Sequence, residues 1–124
     1  MDMASLLGRV LAASVLGVVL CTACGASTNA PMPTGSAAND PQLLRGRSVY
    51  TANCARCHGI AGGGGMAPDF RDGRLQRDFA TQDALVEFVK RGRGQMPAWN
   101  GRLFQADIEA VVRYVREVLA NATK

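Results

Sequence analysis

The sequence predicts an all-α fold, and three observations predict it. Apolar residues recur at helical spacing in three segments. Two of these segments open on residues that cap helices. No window alternates polar with apolar as a half-buried strand would. At 124 residues the chain is sized for one small domain.

The first helix is predicted from residue 41. Asp40 supplies an N-cap, and Pro41 takes the first helical position, where its missing N–H is no loss. Leu43, Gly46 and Tyr50 then share one face. Residues 59–70, GIAGGGGMAPDF, read as an irregular glycine-rich loop. A second helix opens at Thr81 and sets Leu85, Phe88 and Val89 on one side. The third, over 105–121, carries Ile108, Val111, Val112, Val115 and Leu119 in a single stripe. Phe104 stands where that helix would normally have a Ser, Thr or Asp cap. The folded unit is therefore expected over 41–122. About 80 residues in a few helices make a thin core, so a bound cofactor is the expected staple.

Upstream, residues 1–23 read as an export signal. Arg9 precedes an apolar run over 10–20 whose eleven residues would span roughly 17 Å as a helix. That is far short of a ~30 Å bilayer core, which suits a signal h-region and not a membrane-spanning helix. Thr22 and Ala23 before Cys24 resemble a bacterial lipobox, with Cys21 where Leu is usual. Cys24 is the expected lipidation site, and cleavage at a nearby small residue is the alternative. Residues 24–40 are rich in Gly, Ser, Thr, Asn and Pro and are expected to be a flexible tether.

The net charge is +4, carried by twelve Arg and two Lys. An arginine-rich surface favours acidic protein faces or anionic headgroups. No basic stripe interleaved with aromatics is present, so nucleic acid is not an expected partner.

Four cysteines and one histidine restrict the chemistry most. The spacing C-x-x-C occurs at Cys21 and Cys24 and again at Cys54 and Cys57. A zinc site, a redox dithiol and haem attachment all use it. At Cys54 the run is CARCH, the C-x-x-C-H haem attachment sequence. Two thiols three residues apart can add to the two vinyl groups on one porphyrin edge. The next residue, His58, then lies under the ring with its imidazole toward the iron. A dithiol couple belongs to a βαβ context that this chain lacks. After Cys24 comes Gly25, and His58 is the only histidine, so one covalent haem is expected. Methionine is the candidate for the second axial ligand. Met66 lies eight residues from His58 and would need nearly full extension, ~3.3–3.6 Å per residue, to pass the haem edge. Met96 has 38 residues of path and is followed by Pro97, which stiffens its loop.

With these motifs in place, residues 41–122 resemble a class I cytochrome c. The resemblance rests on the helix running into CARCHG, on APDF in place of the family's Gly-Pro-x-Leu loop, on MPAW, and on the final helix with Tyr114. Ala67 replaces the family's glycine. The resemblance implies thioethers at Cys54 and Cys57, His58 as proximal ligand and Met96 as distal ligand. It also implies that the Pro68 carbonyl accepts from His58 Nδ1–H, and that Gly46 lets the first helix approach Tyr114 or Val115. Trp99 would pack on the haem or reach a propionate, or simply fill the core. Arg71, Arg74 and Arg77 are placed to meet a propionate, although a solvated face is the preferred reading.

Two protein ligands would leave the iron no site for a substrate. The expected function is therefore a single-electron carrier of a respiratory or dehydrogenase-linked chain, not an enzyme, with methionine ligation raising the potential. A dedicated subunit of one oxidoreductase complex is the alternative, and a gas-binding haem protein a further one if Met96 does not ligate. Expected partners are redox proteins with acidic docking faces and a membrane reached through Cys24, with no small-molecule substrate. The expected location is the periplasm or the outer face of a bacterial membrane.

Overall fold

A computed structural model of the protein describes residues 28–122. The expected signal over 1–23 and Cys24 lie outside the described residues. Among the described residues five α-helices follow in order: α1 (Pro41–Asn53), the single turn α2 (Ala55–His58), α3 (Arg74–Asp78), α4 (Gln82–Arg91) and α5 (Gln105–Tyr114). Among the described residues the only β pairing is two isolated bridges, Arg93 with Met96 and Asn100 with Leu103. The all-α expectation holds. No helix among these residues is long and apolar enough to cross a membrane.

The helix starts follow their caps. Asp40 Oδ1 accepts from the N–H groups of Gln42 and Leu43 at 2.9 and 3.1 Å. The same carboxylate pairs with Arg113 at 2.9 Å, which ties the start of α1 to α5. Arg113, helped by the Leu43 N–H, holds this carboxyl below its ordinary pKa. Thr81 Oγ1 caps α4 by accepting from Ala84 N–H at 3.2 Å.

The core lies where α1 crosses α5, around the fully buried Leu43, Tyr50, Ile108, Val112, Tyr114 and Leu119. Gly46 is the crossing point. A Cβ there would run into the Ala110 carbonyl and stand 2.7 Å from Tyr114 Cβ. The neighbours are thus Ala110 and Tyr114, and Val115 is not among the atoms met first.

Two elements differ from expectation. The final helix, predicted to 121, changes after Tyr114 into a π-helical turn over Val115–Leu119, closed by Ala120 N–H on the Val115 carbonyl at 2.8 Å. The wider turn buries Leu119 beside Gly62, where a Cβ would come within 3.1 Å of Leu119 Cβ. Phe104 does sit at the N-cap of α5, makes no capping bond and is 81% exposed. Phe104→Ser is therefore expected to stabilise the protein by about 1 kcal/mol. For a domain this size that raises the thermal midpoint by about 4–8 °C, readable in a melt of the haem-loaded protein.

Residues 30–37 of the expected flexible tether are instead docked on the domain. Ala30 is 1% exposed, its N–H bonds Thr51 Oγ1 at 3.3 Å, and its carbonyl accepts from Arg47 Nε at 2.6 Å. The Pro31 carbonyl accepts from the Tyr114 hydroxyl at 2.6 Å. Pro33 is buried, and Ala37, in a short 3₁₀ turn, packs against the core. Composition hides this because backbone carbonyls make the attachment, not large apolar side chains. Burial pushes the Tyr114 phenol up to about 12, so it donates at neutral pH. Tyr114→Phe should cost about 1 kcal/mol and raise hydrogen exchange at the Ala30 amide.

Candidate functional site

The C-x-x-C-H run begins where α1 ends. Cys54 N–H closes the last turn on the Tyr50 carbonyl at 2.9 Å. Cys57 and His58 N–H then both return to the Cys54 carbonyl, at 3.1 and 3.0 Å. This single turn brings Cys54 and Cys57, three residues apart, to neighbouring positions on the helix surface, with His58 one residue on. Gly59 leaves the turn at φ +78, and its carbonyl accepts from the Tyr50 hydroxyl at 2.6 Å. Burial raises the pKa of that phenol, which keeps it a donor that binds α1 to the end of the motif.

Both thiols are unbridged, Cys54 partly buried and Cys57 exposed. Burial, then the neighbouring Cys57, pushes Cys54 up to about 12, so it is a neutral thiol at physiological pH. The His58 ring is half-buried, and burial lowers its pKa more than the nearby Pro68 carbonyl raises it. The imidazole is thus neutral and keeps a lone pair for a metal. Nδ1 is buried and makes no hydrogen bond. The Pro68 carbonyl therefore acts on the charge of the ring while falling short of hydrogen-bond geometry at Nδ1. On one face the ring stacks on Phe70, centroids 4.5 Å apart at 20°, a partner with no signal in the sequence.

The glycine-rich loop is laced onto the motif. Gly64 N–H bonds the His58 carbonyl at 3.0 Å, and Ala67 N–H bonds the Cys57 carbonyl at 3.1 Å. Phe70 N–H closes the loop on the Gly62 carbonyl at 2.9 Å. Pro68 and Phe70 are thereby delivered to His58 by backbone bonds.

Met96 is held by separate means. Its N–H and C=O both bond the backbone of Arg93, at 3.0 Å each, around a two-residue turn with Gly94 at φ +60. Gly92, at φ +67, lies so close under the loop that a Cβ would stand 2.5 Å from the Met96 carbonyl oxygen. Trp99 N–H returns to the Val89 carbonyl at 3.3 Å and fixes the loop to α4. Trp99 itself is half-buried against the core. Met96 is half-buried, whereas Met66 is 69% exposed. The backbone bonds of the Met96 loop run within it and to α4, and none reaches the Cys54–His58 turn.

Of the three arginines, Arg74 pairs with Asp72 at 2.7 Å and Arg77 reaches the Asp72 carbonyl at 3.4 Å. Arg71 pairs with Asp69 and is only 22% exposed, so it does not belong to a solvated face.

The donor set fits a covalent haem. Two unbridged thiols at i and i+3 precede a neutral imidazole whose Nδ1 is buried without a partner, and the loop around it already offers a carbonyl. Fold and motif together define a small class I c-type cytochrome with one covalently bound haem c, an electron carrier.

The family model described as cytochrome c oxidase, cbb3-type, subunit III matches residues 41–115, and the chain belongs to that family. Cytochrome c6 of Chlorolobion braunii is 35% identical over 90 residues, covering 66% of this chain and 97% of that protein. The cbb3-type cytochrome c oxidase subunit FixP of Bradyrhizobium diazoefficiens is 36% identical over 78 residues, covering 60% of this chain and 27% of FixP. The solved structure of cytochrome c6 from the diatom Phaeodactylum tricornutum superposes with a TM-score of 0.53 at 31% identity, covering 59% of this chain and 88% of that one.

Proposed function

We propose that Cys54 and Cys57 form the two thioethers, that His58 and Met96 are the axial ligands, and that the protein passes single electrons between redox proteins without acting as an enzyme. The observation that carries this is His58: the only histidine of the chain, neutral, and held within a turn that starts at one thiol and contains the other. When bound, the haem supplies one-electron exchange between Fe(III) and Fe(II). Pro68 and Phe70 orient the imidazole, the Arg93 turn and Gly92 hold Met96, and Trp99 closes the loop and stands near enough in sequence to serve a propionate. The exposed Cys57 marks the accessible edge. Among the described residues the side chains of Arg56, Arg93 and Arg102 have no ion-pair partner. Arg56 lies within the motif, Arg93 opens the Met96 turn and Arg102 follows that loop, so acidic partner faces are the complementary surface.

The same reading places the protein outside the cytoplasm, in the periplasm or on the outer face of a bacterial membrane, with Cys24 acylated. Its electrons would belong to a respiratory or dehydrogenase-linked chain. The match to the cbb3-type subunit III family favours a second reading, in which the domain serves one oxidoreductase complex as a dedicated subunit.

Intact mass of the protein purified from membranes tests the covalent part. The expected mass is a chain beginning at Cys24 with acyl groups and one haem. A chain beginning after Cys24 removes the anchor, and a mass without haem removes the thioethers. The oxidised spectrum tests the ligand set through the weak long-wavelength band of methionine-ligated Fe(III). Rapid CO binding by the reduced wild type would overturn Met96.

A further inference from the structure

The loop carrying residues 68–71 meets the haem-attachment turn by geometry. Ala67 N–H bonds the Cys57 carbonyl at 3.1 Å, and the Phe70 ring stacks on His58 with centroids 4.5 Å apart, while the Pro68 carbonyl between them makes no hydrogen bond to Nδ1. Flanking Phe70 are Asp69 and Arg71, joined by three bonds. Asp69 Oδ1 accepts from the Arg71 backbone N–H at 2.7 Å and from its Nε at 3.1 Å, and Oδ2 accepts from a terminal guanidinium nitrogen at 3.3 Å. Both side chains are about three-quarters covered, at 22% and 25% exposed. The guanidinium rests on Gly63, where a Cβ would collide with its terminal nitrogen and stand 3.1 Å from Cζ. Gly63 does not adopt a left-handed φ, so its backbone would accept alanine. What alanine would remove is the seat of the arginine.

We infer that Arg71 is a positioning residue for His58. Bonded to Asp69 and seated on Gly63, it clips the loop so that the Pro68 carbonyl and the Phe70 ring stay against the imidazole. The inference rests on the reading of His58 as axial ligand. A carbonyl dipole beside a ligating imidazole favours the positive charge that the ring shares with Fe(III), even without a hydrogen bond at Nδ1, and so lowers the potential. An unclipped loop moves that dipole away, and the potential rises. A bare cation acts in the opposite sense: it opposes the oxidised charge, so deleting it lowers the potential.

The decisive variant is therefore Gly63→Ala, which unseats Arg71 without changing any charge. In the haem-loaded protein it should shift the Fe(II)/Fe(III) equilibrium about tenfold toward Fe(II), ~59 mV for one electron. Arg71→Leu should shift it in the same direction, reduced by the lost charge, and Arg71→Lys should not restore the wild-type value, because an ammonium cannot make the two-pronged pair. The double variant should show no more loop-loosening than Arg71→Leu alone, since both substitutions break one clip. The paramagnetically shifted imidazole resonances of the oxidised protein should move in Gly63→Ala, reporting a changed ring plane. An unchanged potential in Gly63→Ala, with Arg71→Leu lowered and Arg71→Lys normal, would overturn the clip and leave Arg71 as a simple charge. Failure of the ligand reading looks different: the wild type itself would then lack shifted imidazole resonances.

Discussion

Met96→Ala is expected to abolish the long-wavelength band of the oxidised protein and to open the reduced iron to CO. The potential should fall steeply as well, because a thioether stabilises Fe(II) and its loss leaves water or an oxygen donor in its place. A hundredfold change in the redox equilibrium, ~118 mV at 59 mV per decade, is the scale to look for. Folding should survive, since the loop is pinned by the Arg93–Met96 backbone pair, by Trp99 N–H on Val89 and by Gly92, none of which needs the thioether. Met66→Ala is the control. Its side chain is exposed, and the spectrum should not change. The reverse pattern, with Met66→Ala losing the band, would move the ligand to the glycine-rich loop.

Gly46→Ala is expected to be the most destabilising single change in the helical scaffold. In an exposed helix the exchange would gain about 1 kcal/mol from propensity. Here the added Cβ meets the Ala110 carbonyl, a backbone atom that cannot rotate aside. The helices must separate, loosening Tyr50 from Tyr114, whose rings stand 5.8 Å apart. Overpacking of this kind costs about 3 kcal/mol and exceeds the propensity gain. The net loss of ~2 kcal/mol lowers the melting midpoint by about 8–16 °C. A melt at or above the wild-type temperature would show that α1 and α5 do not meet at this residue.

The parts legible in the sequence are those specified locally. Asp40 and Pro41 start a helix by their own chemistry, and Thr81 does the same. The C-x-x-C-H spacing states its geometry within a single turn. The parts that stayed hidden depend on what arrives from elsewhere in the chain. Arg71, Arg74 and Arg77 look alike at three-residue spacing, yet Arg71 lies over Gly63 of the distant glycine-rich loop, whereas Arg77 lies over Gly73 only four residues before it. Phe70 belongs to no periodic face, so nothing in the sequence pairs it with His58. The π turn after Tyr114 keeps the apolar stripe and changes only its pitch. Residues 30–37 carry only one bulky apolar side chain, Met32, which is exposed, and they dock through carbonyl groups instead.

That docked segment has a mechanical consequence. From Pro33 back to Ala30 the chain reaches the Arg47–Thr51 stretch of α1, and Thr51 precedes Cys54 by less than one helical turn. Whatever is joined ahead of residue 28 is therefore moored near the haem-attachment end of α1, and not near Asp40, where α1 begins. The anchor proposed at Cys24 would then constrain heading as well as distance, and the domain would pivot about a point close to its haem-attachment end with a short lever arm.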